Sequence, residues 1–459
     1  GAVNITTNDA TITDPDSANL SSMTVTITNL QDGAFESLSG TVTGNITTSG
    51  YNSGTGEIIF NGVDTLANYE SVLRSITYNN LDQDPDNTQR EITVVVNDGT
   101  SNSPLSTSFV NVVPVNDPPV LDLDNDDSTA AGTGYANAFV ENGGAVSAAD
   151  TDVSIIDVDD LNMASATVRI TNVQDNLEEF LLVDTTGTNI TGAYDLNTGI
   201  LSLTGADTVA NYEQVLSTVR YENTSDTPTE TQDRLISFTV NDGTIDSNIA
   251  VSTISVQAVN DNPILDLDGN DSGPVAGTGY AATFVEAGGA INITDTDVAI
   301  ADPDHTMIQS ATVTLTNIQD AGLEILAAND LGTNITIAPY NPITGVLSFS
   351  GSETLANYQA VLATVTYNNT SLNPNTVVPR EIEFVVNDGV SNSNTAISTV
   401  TVTAVATQPD QPDLNGPGAG GNDHTVTFTE DAGAVNITTN DATITDPDSS
   451  NLSSMTVTI

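Results

Sequence analysis

The chain reads as an all-β protein of tandem antiparallel β-sandwich modules of about 144 residues, each with one short helix, arranged as a rod. Three observations predict this. A set of landmarks returns at near-constant spacing. Apolar residues alternate with polar ones over short runs. The runs are separated by turns rich in Gly, Asn and Asp.

The repeat comes first. Gly1-Ala2-Val3 returns as Gly144-Ala145-Val146, Gly289-Ala290-Ile291 and Gly433-Ala434-Val435. Residues 433–459 match residues 1–27 except for Ser450 in place of Ala18. Residues 1–432 thus form one super-repeat of three modules, and the next one begins at Gly433. The expected modules are 1–116 (truncated at its start), 117–260, 261–405 and 406–459 (the start of a fourth). The pattern reads as an excerpt from a longer repetitive protein.

Each module repeats the same elements in order. An alternating strand carries Met23, Val25 and Ile27, then Ala166, Val168 and Ile170, then Ala311, Val313 and Leu315. A turn-rich segment follows at Asn45-Ile46-Thr47, Asn189-Ile190-Thr191 and Asn334-Ile335-Thr336. Thr55-Gly56, Thr198-Gly199 and Thr344-Gly345 lead into the next strand. Leu66, Tyr69, Val72 and Leu73 then follow helical spacing, as do Val209, Tyr212, Val215 and Leu216, and Leu355, Tyr358, Val361 and Leu362. This stripe reads as core. Strands starting at Arg90, Arg234 and Arg380 run into Asn97-Asp98-Gly99, Asn241-Asp242-Gly243 and Asn387-Asp388-Gly389, a strong hairpin signal. A last strand, such as Val251 to Val259, closes the module.

Composition narrows function. Sixty-one acidic residues, 45 of them Asp, face six Arg and no Lys, for a formal charge of −55. That field repels phosphate backbones and anionic membrane surfaces, so neither nucleic acid nor membrane insertion is expected. Without Cys there is no disulfide framework or zinc–thiolate site. No nucleophile–base set recurs, so the chain is not read as an enzyme. Apolar residues make up 38% of the chain, enough for packed sheets.

The acids gather at the joints. Val115-Asn116-Asp117-Pro118-Pro119 and Val259-Asn260-Asp261-Asn262-Pro263 precede Asp122-Leu123-Asp124 and Asp266-Leu267-Asp268. A strand-end Glu follows, Glu141 or Glu286, then Asp150-Thr151-Asp152 or Asp295-Thr296-Asp297. Asp157 and Asp159, or Asp302 and Asp304, close the group, with Asp14 and Asp16 as their earlier copies. The hairpin acids Asp98, Asp242 and Asp388 and the fourth-module residues Asp410, Glu430 and Asp441 complete the candidate ligands. Carboxylates held this close resist ionisation unless a cation joins them. Calcium takes six to eight hard oxygens in flexible geometry, which Asp, Asn and carbonyl groups supply. Turn formation, halophilic surface charge and paired catalytic carboxylates are the competing readings. They do not explain acids at the same points of every module.

Asn260-Asp261-Asn262-Pro263 resembles the cadherin linker motif Asp-x-Asn-Asp-Asn-x-Pro. Glu286 resembles the cadherin Glu near the start of a domain, and Asp295-Thr296-Asp297 its Asp-x-Asp. The whole module is similar to the cadherin-like tandem repeats of giant bacterial surface proteins and adhesins. The resemblance implies calcium chelated between successive modules, by Asn116, Asp117, Asp150 and Asp152 at one joint. At the next it implies Glu141, Asn260, Asp261, Asp295 and Asp297. The third joint departs: Gln408-Pro409-Asp410-Gln411-Pro412-Asp413 lacks the Asn-Asp pair, and Thr439-Asn440-Asp441 replaces Asp-x-Asp, as Thr7-Asn8-Asp9 does earlier. That joint is expected to bind fewer ions. Modules longer than the usual cadherin size imply an extra hairpin near each joint.

The reading is a secreted, extracellular, bacterial rod or filament, stiffened by calcium and structural or adhesive, whose partners are neighbouring modules or further copies. The alternative is an adhesin face that binds carbohydrate, ice or another surface. Asp304-His305 reads as an exposed loop histidine, and Gly416 to Gly421 as a flexible linker.

Overall fold

The computed structural model describes every residue except 407, 418–419 and 447–448. Two compact units emerge, Gly1–Gln257 and Ala258–Ile459. The first holds two hydrophobic cores, Ile5 to Val110 and Leu121 to Val256. The second holds one, Leu265 to Val402.

The core around Leu121 to Val256 shows the plan. Its strands are β1 (Val120–Asp122), β2 (Tyr135–Val140), β3 (Val146–Ser147), β4 (Ser154–Ile156), β5 (Asn162–Ile170) and β6 (Glu179–Leu182). They continue as β7 (Thr191–Asp195), β8 (Ile200–Thr208), β9 (Arg220–Asn223), β10 (Arg234–Asn241) and β11 (Ala250–Gln257), with helix α1 at Val209–Ser217 between β8 and β9. A six-stranded sheet in the order β2-β11-β10-β5-β8-β7 faces a three-stranded sheet β3-β9-β6. Alternation decides which side chains are inside: Met163, Ala166, Val168 and Ile170 of β5 are buried and their neighbours are not. Phe139 and Tyr221 meet across the two sheets edge to face, ring centroids 5.5 Å apart.

In this core every strand pairing but one is antiparallel. The edge strand β2 runs parallel to β11, from Tyr135↔Ser252 to Val140↔Gln257. The extra hairpin expected at the joint is instead the ladder β1–β4, which pairs Asp122 with Ser154 and encloses β2 and β3. The same plan recurs around Leu265 to Val402, with sheets of six, three and two strands.

Helix α1 begins where Thr208 accepts the Asn211 N–H on its hydroxyl, and it buries Tyr212, Val215 and Leu216. Just before it, the β5–β8 ladder skips between Asp207 and Thr204. Gly205 absorbs this bulge at φ +123°, where a Cβ would lie 2.4 Å from the Asn189 carbonyl oxygen. The Tyr212 hydroxyl donates to Gly205 O over 2.8 Å and ties the helix to the bulge. Gly62 with Tyr69 and Gly351 with Tyr358 repeat the device.

The strand-starting arginines are more than strand starts. The Arg234 side chain has no exposed surface. It bonds Glu179 Oε1 through Nε, Asp175 Oδ2 through Nη2 (2.5 Å), and the Thr229 and Gln232 carbonyls through Nη1 (2.6 and 2.7 Å). The Tyr221 hydroxyl also donates to Glu179, and Asn223 to Asp175. Arg90 with Asp32 and Glu36, and Arg380 with Asp320 and Glu324, form the same buried ion network.

Residues 19–27 and 451–459 share one sequence and differ in structure. Asn19–Ile27 is the central strand of a five-stranded sheet, paired with Glu57–Thr65 and Arg90–Asn97. Residues 451–459 form no strand and are exposed.

Candidate metal centres

Three loops meet where the second core begins. The linker brings Asn116 and Asp117, the loop after β4 brings Asp157, Asp159 and Asp160, and the β10–β11 hairpin brings Asp242. Asp157 and Asp242 each spend one oxygen on their own loop. Asp157 Oδ1 accepts the N–H groups of Asp159 (3.2 Å) and Asp160 (2.9 Å), an Asx turn. Asp242 Oδ1 accepts the N–H groups of Thr244 (2.5 Å) and Ile245 (2.8 Å). The second oxygens point inward. Asp242 Oδ2 accepts Asn116 Nδ2 (2.8 Å), and Asp159 Oδ2 accepts the Asp117 N–H (3.0 Å). Asp157 Oδ2 and Asp159 Oδ1 are buried and have no donor.

Ligand atoms of Asp157, Asp159 and Asp160 lie within 4.8 Å of one another. Burial pushes the Asp157 carboxyl above its usual range, and Asp159 adds to the shift. Burial does the same to Asp160, followed by repulsion from Asp242, Asp159 and Asp84. Asp84 belongs to the loop after Thr77–Asn80 of the first sandwich, so a carboxylate of that sandwich bears on the cluster of the second. Asp242 goes the other way: bonds from Asn116 and its own hairpin outweigh the effect of burial.

The second unit repeats the arrangement. Asp302 Oδ1 accepts the Asp304 and His305 N–H groups (3.0 and 2.8 Å). Asn260 Nδ2 donates to Asp388 Oδ2 (3.1 Å), and the Asp261 N–H donates to Asp304 Oδ2 (2.5 Å). Asp302 Oδ2 and Asn260 Oδ1 are buried without a donor. In the first sandwich Asp14, Asp16 and Asp98 line one cleft. Bonds from the Asp16 and Ser17 N–H groups lower the Asp14 pKa, while Asp14 and then Asp98 raise that of Asp16.

The acids downstream of the linker divide differently from the expectation. Asp150-Thr151-Asp152, expected beside Asn116 and Asp117, lies instead in a second cluster within the sandwich, where Asp152 joins Asp124 and Asp126. The β1–β4 ladder holds these loops together, and it leaves Asp157 and Asp159 to meet the linker. Asp268, Asp295 and Asp297 form the counterpart. Asp124 has no exposed surface. Its carboxylate accepts five bonds from Ser128, Thr129 and Ala130, which hold its pKa far below the ordinary range, those from Thr129 most of all. Asp152 Oδ1 and Asp297 Oδ1 are buried without donors. Asp122 and Asp266 accept the N–H groups of Asp124 and Asp268 and shape the turns.

Glu141 is buried beyond β2, its N–H bonded to Gln257 O (2.9 Å). Glu286 Oε2 accepts the Val405 N–H (2.9 Å). Asp410 bonds Thr445, Glu430 is exposed, and among the described residues neither joins an acidic group of three, nor does Asp441. Asp126, Asp160 and His305 stand in these clusters beside the expected ligands. Asp160 and His305 each follow an Asp-x-Asp directly, where the first module has Ser17. His305 is not an exposed loop residue. Its side chain is about two-thirds buried, 34% exposed, with Nδ1 enclosed beside Asp302 and Asp388.

No family model matches the chain. A 78-residue stretch, 16% of the chain, is 38% identical to halomucin of Haloquadratum walsbyi and covers 1% of that protein. Among solved structures the chain is similar to mouse cadherin-23 EC22-24, at 12% identity and TM-score 0.26, over 87% of this chain and 92% of that one. It is also similar to the protocadherin gammaB7 EC3-6 cis-dimer structure, at 13% identity and TM-score 0.26, over 82% of this chain and 67% of that one. The human desmocollin-1 ectodomain matches at 10% identity and TM-score 0.21, over 83% of this chain and 56% of that one.

Proposed function

We propose that this is an extracellular structural or adhesive repeat protein whose successive modules are coupled by calcium into a stiff filament. One observation carries the reading. In two consecutive repeats a linker Asn-Asp, an Asp-x-Asp turn and a hairpin Asp converge, with buried carboxylate oxygens that no donor reaches. An unpaired buried carboxylate oxygen costs several kcal/mol unless it is neutralised.

The donor set suits calcium. It is nearly all oxygen, supplied by short Asp and Asn side chains on turns that can adjust. Bound calcium would supply the positive charge that these oxygens share. Asn116 and Asp117 act from the linker, Asp157, Asp159 and Asp160 from the loop behind it, and Asp242 from the hairpin. Because the linker joins two sandwiches, fixing it to the two loops fixes the entry angle of the chain. The field of Asp84 adds the preceding sandwich to the same balance. The cluster of Asp124, Asp126 and Asp152 supports calcium less directly, since its buried member is already satisfied by its own loop. Extracellular modules bind calcium at about 10⁻⁴ to 10⁻³ M, the range expected here.

Isothermal calorimetry on the full chain tests the reading. Asp157→Asn with Asp242→Asn should remove calcium binding at one joint while the Asp302–Asp388 joint still binds. Unchanged stoichiometry and affinity would remove these residues from the calcium site.

A further inference from the structure

The joint clusters are not equivalent. Where the second module places Asp160, the third places His305, and the first places Ser17. His305 Nδ1 lies 3.7 Å from Asp302 Oδ1 and 3.8 Å from Asp388 Oδ2. These spacings are too long for hydrogen bonds. They come within a few tenths of an ångström of the separation of neighbouring ligands around one ion, about 3.4 Å for bonds of about 2.1 Å. Ligand atoms of Asp302, Asp304 and His305 lie within 4.8 Å of one another. Independently of that clustering, the Asp302 side chain has no exposed surface while its Oδ2 has no donor, and Nδ1 of His305 is likewise buried and unbonded.

We infer that the third-module joint is a mixed nitrogen–oxygen site that selects a borderline divalent ion such as Zn²⁺ over Ca²⁺, with His305 Nδ1, Asp302, Asp304 and Asp388 as ligands. The physical ground is ligand softness. Imidazole favours zinc, nickel and cobalt, whereas carboxylates and carbonyls alone favour calcium and magnesium. Three carboxylates and one imidazole match the four-coordinate preference of zinc, and Asn260 holds Asp388 in place by a bond to Oδ2. The all-oxygen cluster of Asp157, Asp159 and Asp160 lacks the discriminating donor. The inference rests on the reading that the joints bind divalent ions, and it gives the third-module site a preference for Zn²⁺ over the Ca²⁺ it also binds.

The full chain is titrated with Zn²⁺, Ca²⁺ and the spectroscopic probe Co²⁺, each as the chloride. With only two histidines, His305 and His424, the imidazole nitrogens can be followed one by one by proton–nitrogen correlation. The expected result is one Co²⁺ per chain with visible absorption and a shift confined to His305 Nδ1. His305→Asp, which installs the donor of the second module, should abolish that absorption and weaken Zn²⁺ by more than about tenfold, as loss of one of four ligands implies. Its Ca²⁺ binding should hold or tighten. Asp160→His should create a second Co²⁺ site, and it keeps the test decisive if His305→Asp misfolds. Calcium binding with Zn²⁺ and Co²⁺ affinities indifferent to both substitutions overturns the inference and leaves the calcium reading standing. A Co²⁺ signal that persists in His305→Asp and is lost in His424→Asn also overturns it. No binding of any of the three ions overturns both.

Discussion

Replacing Arg234 with Met tests what the buried ion network is worth. The guanidinium is enclosed and is the cation facing Glu179, itself without exposed surface, and Asp175. Burial alone would lower its pKa, but bonding to Glu179 outweighs burial and raises it. Met fills similar volume and leaves both carboxylates buried without a counter-charge. Breaking a buried pair in this way costs about 3–5 kcal/mol. The Gln232 carbonyl, on an exposed residue, can turn to water and adds little. At about 1.4 kcal/mol per factor of ten, core amides of residues 234–241 should exchange roughly 10² to 4 × 10³ times faster. Hydrogen exchange read by mass spectrometry resolves each module separately, which a melting curve of a multi-module chain does not. The Arg380 module is the internal control. Adding Glu179→Gln should recover part of the loss, since a neutral amide tolerates the site better than an unpaired carboxylate. Exchange accelerated less than tenfold, or a double variant worse than Arg234→Met, would refute the reasoning.

Other outcomes follow from single features. Gly205→Ala should destabilise its module by about 1–3 kcal/mol, because φ +123° is strained for Ala and its Cβ would meet the Asn189 carbonyl; the readout is the same exchange experiment, and no change would mean that the bulge relaxes freely. In chelator, the contribution of Asp157 and Asp160 has a definite sign. Their folded pKa values lie above the unfolded ones, so the native state holds the extra protons and stability falls as pH rises through the raised values. The acids held low, such as Asp124 and Asp207, act in the opposite sense and only below the ordinary Asp range. From about pH 4 to pH 7, therefore, the second module should lose stability in chelator and gain progressively from added calcium. A stability curve rising with pH in chelator would contradict the assignment.

Much of the fold was legible because repetition supplied three readings of each element. The Tyr69, Tyr212 and Tyr358 stripes forecast three helices, and the Asn-Asp-Gly turns forecast the hairpins. The buried networks were not legible. Arg234 meets Asp175 and Glu179 across 59 and 55 residues, and nothing local separates an arginine that starts a strand from one that closes a core. The acids were legible as a set, but their partition was not. Asp152 and Asp157 are five residues apart in sequence, and the pairing of Ser154–Ile156 with Val120–Asp122 sends them to different clusters.

The most direct test of cation-coupled modules is small-angle scattering of the full chain in calcium and then in chelator. Coupled joints predict a larger maximum dimension and a rod-like profile in calcium, with chelation giving a shorter mean span and the signature of a flexible chain. Superimposable curves in the two conditions, from protein shown by calorimetry to bind calcium, would contradict the account.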